Sequence, residues 1–142
     1  SLIRNLQKTL KPWLITLNQL LKMRTIKFRG IDAPNNEWVY GSLVIVNDDF
    51  HILDGEEDTA HDYNRVDENT VGQFTGLKDS LGNEIYEGDI LEEIVGTEPL
   101  TYTVEWVGDG FALDDSKNDI YLGLYLTCEK CRVIGNIYED IN

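Results

Sequence analysis

Few residues in this chain could do chemistry, and their spacing argues against most catalytic readings. Cys128-Glu129-Lys130-Cys131 is a Cys-x-x-Cys pair. In a thioredoxin-like enzyme such a pair opens a helix after a strand. Here strand-like runs flank it on both sides, so plain reduced cysteines in a hairpin are expected. Cys128 and Cys131 are also the candidate metal ligands. A closed zinc site needs four ligands, however, and His51 and His61 lie near an acidic stretch without the spacing of a zinc-binding pair. Neither metal nor cofactor is expected. Gly72–Lys78 has its glycines wrongly spaced for a phosphate loop and lacks the Gly-Lys-Ser/Thr ending. Gly108-Asp109-Gly110 begins like a dinucleotide turn, but Leu113 stands where a third glycine is needed. No Gly-x-Ser-x-Gly elbow occurs. The acidic stretches Asp54–Asp58 and Asp109–Asp119 lack EF-hand spacing. Glu92 and Glu93, adjacent on a strand, point to opposite faces and make a poor carboxylate dyad. No catalytic residue is assigned. The remaining chemistry is recognition: Trp38, Tyr40, Tyr86 and Tyr138 could line an aromatic groove for a ligand or a peptide, beside their ordinary use as scaffold.

These side chains must be positioned by β structure. From residue 24 on, the apolar period shifts towards two. Strands are expected at Thr25–Ile31, Glu37–Val46, Phe50–Leu53, Val71–Leu77, Glu84–Val95 (broken at Gly88-Asp89), Leu100–Val107, Phe111–Leu113, Ile120–Thr127 and Arg132–Tyr138. Gly41 reads as a bulge or bend. Residues 54–69 read as a long exposed loop. Ile85, Tyr86, Ile90, Leu91, Val133, Ile134 and Ile137 are the expected core. Short strands with frequent turns predict a mainly β domain, a small barrel or a sandwich.

Residues 1–22 break this pattern. Leu2, Leu6, Leu10, Trp13, Leu17 and Leu20 or Leu21 recur at helical steps, with a kink or break expected at Pro12. An amphipathic helix is expected over 1–22, as an extension of a β domain over 23–142. Asn18 and Gln19 interrupt its apolar stretch, which argues against a signal peptide. A protein–protein contact is favoured over a membrane surface. Met23 is the single methionine, so an upstream start read into the chain is the alternative account of this segment.

The chain of 142 residues carries 12 basic and 26 acidic side chains, a net charge of −14. One core of ordinary size suits this length. No apolar run approaches the roughly 18 residues of a membrane span. Two cysteines are too few for a disulfide framework, which suits a cytoplasmic setting. Residues 1–30 hold seven bases and no acid, leaving −21 for residues 31–142. So acidic a body repels phosphate backbones, and direct nucleic-acid binding is not expected.

Several stretches carry a family resemblance. They are Ile26-Lys27-Phe28-Arg29-Gly30, Glu37-Trp38-Val39-Tyr40-Gly41, the run from Thr70 to Asp79, Glu84-Ile85-Tyr86-Glu87-Gly88-Asp89-Ile90, and Val133-Ile134-Gly135-Asn136-Ile137-Tyr138-Glu139. Together they resemble the YopX family of phage and prophage proteins, from Met23 to Glu139. The resemblance implies a mainly β, small-barrel fold and offers no catalytic residue to carry over. The expected function is therefore non-enzymatic: an oligomerising or protein-binding module, with a homo-oligomer or a protein partner. Two alternatives stand beside it. One is an acidic decoy that occupies a host nucleic-acid-binding protein. The other is an enzyme whose site assembles only in three dimensions.

Overall fold

The computed structural model describes residues 24–55, 63–118 and 120–139. The helix expected over residues 1–22 lies outside them. Among the described residues eleven strands follow in order: β1 (Phe28–Asp32), β2 (Glu37–Val46), β3 (Asp49–Leu53), β4 (Tyr63–Arg65), β5 (Gly72–Lys78), β6 (Glu84–Tyr86), β7 (Asp89–Val95), β8 (Glu98–Val107), β9 (Gly110–Asp115), β10 (Ile120–Gly123) and β11 (Cys131–Asn136). A 3-10 turn at Glu68–Thr70 leads into β5. A one-turn helix, α1 (Leu124–Thr127), runs into a second 3-10 turn at Cys128–Lys130. The mainly β expectation holds. The strands form two antiparallel sheets, ordered β4-β3-β2-β1-β5-β6 and β10-β9-β8-β7-β11, and neither closes into a barrel.

Gly41 is the bend the sequence suggested, and its role is specific. Residues 37–41 of β2 pair with β1, and residues 42–46 pair with β3. At the handover a side chain cannot fit, because a Cβ on Gly41 would sit 2.0 Å from the Leu53 carbonyl oxygen. The β2–β3 hairpin turns through Asn47 (φ 50°) and Asp48 (φ 65°). Two successive positive φ values match the twist of the flanking strands.

The core sits on the five-stranded sheet. Ile85, Leu91, Tyr102, Val104, Leu113, Leu124, Cys128 and Cys131 are buried together. Leu91, Tyr102 and Leu113 are contributed by neighbouring strands at alternate positions, so the inner face is apolar and the outer face carries groups such as Glu92 and Arg132, which form an ion pair. Burial of a Leu or Ile side chain contributes about 2 kcal/mol, so this cluster stabilises the fold more than any surface pair.

Several expectations are corrected. Ile134 and Ile137 are about half exposed, not core. Along β11 Cys131 and Val133 face the core, so Arg132 and Ile134 face outward by strand alternation, and two adjacent residues such as Val133 and Ile134 cannot both be core. The stretch 54–69 is not all loop: β4 pairs with β3, and Asp67 caps the first 3-10 turn through a bond from Asn69 N to its Oδ1 at 3.0 Å. Residues 124–127 are helical rather than strand. Cys128 therefore follows a helix and opens a 3-10 turn, and Cys131 begins β11, so the two are not in a hairpin.

The β5–β6 turn stitches the two sheets together. Asp79 Oδ2 accepts from Val133 N at 2.9 Å, and its Oδ1 accepts from Leu81 N and Asn83 N at 2.9 and 2.8 Å. Ser80 N donates to the Cys131 carbonyl at 2.9 Å. On the far side of the junction Gly88 N donates to Val104 O, and Ile137 N donates to Gly88 O. Edge strand β6 of one sheet thus faces edge strand β11 of the other across a gap.

Candidate functional site

The gap is a cleft of about 520 Å³. Its floor is Arg29, the second residue of β1. Strand register places Arg29 opposite Tyr40 on β2 and opposite Gly72 on β5. Gly72 is required there, because a Cβ would stand 2.6 Å from the Glu87 carbonyl oxygen. The turn through Gly88 (φ 90°) then presents Asp89 to Arg29. Arg29 Nη2 pairs with Asp89 Oδ1 at 2.8 Å, and both side chains are almost wholly buried. Asp89 Oδ2 also accepts from Tyr86 N at 2.7 Å.

Aromatic rings hold the guanidinium. Its central carbon lies 4.6 Å from the Trp38 ring centre and 4.9 Å from that of Tyr86. Contacts of this kind contribute about 0.5–2 kcal/mol each and more as water is excluded. Tyr40 meets Tyr86 edge-on at 5.5 Å, and Tyr138 meets Trp38 edge-on at 5.8 Å. The structure therefore gathers Trp38, Tyr40, Tyr86 and Tyr138 around one cation. Trp38, Tyr40 and Tyr86 line the cleft, while Tyr138 supports Trp38 and is not part of the wall.

The electrostatics are uneven. Arg29 is the one cation among the lining residues, against Glu84, Asp89 and Glu139. Burial raises the Asp89 carboxyl above its usual value, outweighing the Arg29 guanidinium and the Tyr86 N–H, which pull it down. Burial, together with the charge of Glu84 and the neighbouring Tyr40, pushes the Tyr86 hydroxyl well above the usual phenol range. Tyr86 is thus a proton-bearing donor at any physiological pH.

Two polar atoms on the lining residues have no hydrogen-bond partner among the described residues: Arg29 Nε and Tyr86 Oη. A buried, unmet donor costs about 1–3 kcal/mol, and native folds hold few of them. Here two belong to adjoining residues of one cleft. A partner that brings an acceptor would satisfy both.

Cys128 and Cys131 lie in the core instead. Burial raises both thiols, Cys131 up to about 11. Among the described residues no group of three or more His, Cys, Asp or Glu side chains could hold a metal ion. His51 packs against the Tyr63 ring, and His61 lies outside the described residues.

Arg29, Asp89, Glu84 and Glu139 were not singled out by sequence. The one signal for the pair was local: Gly72 and Gly88, each tight against another part of the chain, flank the meeting point of Arg29 and Asp89.

The family described as YopX protein matches residues 27–142. Among solved structures, the chain is similar to the crystal structure of protein EF1440 from Enterococcus faecalis. The two share 22% identity and a TM-score of 0.50, over 82% of this chain and 96% of that one, which is a likeness of fold. No curated protein matches the chain.

Proposed function

The chain belongs to the YopX family, and we propose that it works as a non-enzymatic protein-binding module whose partner places a basic side chain in the Arg29 cleft. The observation that carries this reading is the pair of unmet buried atoms, Arg29 Nε and Tyr86 Oη, on residues that line one aromatic, acid-rimmed cleft. The partner's main-chain carbonyl supplies the acceptor these donors lack. Its lysine or arginine head meets the half-exposed Tyr40 face and the Glu139 carboxylate, as cations are held by aromatic walls and acids together. Asp89 already neutralises Arg29, so the cleft does not repel a second cation.

A second copy of the chain is one source of such a side chain, which would make the module an oligomeriser. As a phage-derived product, the protein would act in a bacterial cytoplasm, a compartment that keeps cysteine thiols reduced. Among the described residues no helix is long and apolar enough to cross a membrane. The acidic-decoy reading rests on a different observation, the −21 net charge of residues 31–142. It predicts salt-sensitive capture of a nucleic-acid-binding protein that is indifferent to Tyr86.

The test is an NMR titration with an acetylated pentapeptide bearing one central lysine, against the same peptide with leucine or glutamate. The lysine peptide should shift Trp38, Tyr40 and Asn136 saturably. Equal, unsaturable shifts with all three peptides would remove the proposal.

A further inference from the structure

Beside the cleft runs a second groove of about 330 Å³, lined by Arg24, Lys27, Phe74, Gly76, Lys78 and Glu84. Glu84 is the wall the two share. The chain from residue 24 on has only eight bases: Arg24, Lys27, Arg29, Arg65, Lys78, Lys117, Lys130 and Arg132. Half of them line these two adjoining grooves, in a protein whose net charge is −14. An acidic body scatters bases over its surface to offset acids, but these are concentrated.

The local backbone builds the groove. Phe74 pairs with Tyr86 and Lys78 with Glu84, so β5 carries two more residues than β6 between the same rungs. Gly76 (φ 84°) takes the extra length in the left-handed region that favours glycine. Thr75 locks the bulge by donating from its hydroxyl to Ile85 O at 2.8 Å and accepting from Leu77 N at 3.2 Å. The result turns Lys78 towards the same groove as Lys27, whose ammonium sits 5.0 Å from the Phe74 ring centre. Lys27 pairs with Glu84. Arg24 and Lys78 have no ion pair among the described residues, so the groove keeps a net positive charge.

We propose that this groove is an anion-binding subsite of the same recognition site, so that the ligand carries a phosphate ester or a carboxylate next to the group held in the Arg29 cleft. The inference rests on the binding role proposed for the cleft. Two bases without counter-ions, a third held by one exchangeable acid and an aromatic floor make a pocket for a tetrahedral or planar anion. Glu84 is then the resident competitor: the incoming anion takes its place on Lys27.

The experiment titrates the full chain with inorganic phosphate and with acetate, using chloride at equal ionic strength as the reference, read by NMR at Lys27, Phe74, Gly76 and Lys78. Phosphate should bind saturably. The exposed double variant Arg24→Gln/Lys78→Gln should weaken it at least about tenfold, with an unchanged melting temperature. Glu84→Gln should tighten it at least about threefold, because the carboxylate that competes for Lys27 is gone. Tighter binding of phosphate than of acetate assigns the anion to a phosphoryl group; tighter binding of acetate assigns it to a carboxylate. Shifts identical to those in chloride, or binding unaffected by the double variant, would overturn the subsite. Because the lysine peptide reads only the cleft, a failed phosphate titration beside a successful peptide titration sinks the subsite alone.

Discussion

Arg29 on β1 and Asp89 on β7 are joined at 2.8 Å across the junction of the two sheets, with almost no side-chain exposure on either partner. Removing one member leaves a charge stranded in the interior. Asp89→Asn should therefore destabilise the fold by about 3–5 kcal/mol, measured by urea unfolding. Arg29→Met combined with Asp89→Leu should cost clearly less than the two single changes summed, because neither charge is then orphaned. Additive costs would show that the pair is not coupled.

Asp79 acts on the same junction with the opposite response to pH. Burial raises its carboxyl, but the bonds from Val133, Asn83 and Leu81 outweigh that and hold it below its ordinary 3.8. The ionised form is thus favoured by folding. Its contribution is complete above about pH 4 and is lost as pH falls through the lower folded value. Asp79→Asn should cost about 1–3 kcal/mol at pH 7, and the gap from the wild type should narrow at pH 3. Asp89 runs the other way, since its folded value is raised and stability is lost as pH rises through it. Both proteins retain Asp89, so the difference between them isolates Asp79.

Tyr86→Phe separates folding from recognition. The hydroxyl has no hydrogen-bond partner among the described residues, so its deletion should leave stability unchanged or raise it by up to about 1 kcal/mol. The same change should weaken the lysine peptide. A loss of stability comparable to that of a core cavity would mean the hydroxyl is bonded within the fold.

Cys128 and Cys131 should resist thiol reagents. Both are buried, and burial lifts Cys131 to about 11. At pH 8 the native protein should react with a disulfide reagent at least about tenfold more slowly than the urea-unfolded chain. Equal rates would place the thiols at the surface.

The sequence made parts of this site legible and hid others. Trp38, Tyr40, Tyr86 and Tyr138 stood out because a small β protein has limited use for four large rings outside its core. Arg29 did not, since along the chain it reads as one more base in a basic stretch, and Asp89 reads as a turn residue. Only tertiary pairing joins residues sixty positions apart. Periodicity located most strands, yet it could not show that β2 changes partner at Gly41, because pairing leaves no mark on alternation. Val133 and Ile134 are neighbours on one strand, so only one of them can face the core, and hydrophobicity alone does not say which; the alternation from Cys131 gives that place to Val133. Leu124–Thr127 spans one turn, too short for a helical period to show against strand-like alternation.

The most direct measurement is the titration of the lysine pentapeptide into the wild type and into Tyr86→Phe, followed at the Trp38 indole N–H. The account predicts saturable shifts at Trp38 and Tyr40 in the wild type, at least about threefold weaker binding in the variant, and no such response to the glutamate peptide. Identical titration curves for wild type and variant, or shifts confined to surfaces away from Trp38 and Tyr40, would contradict it.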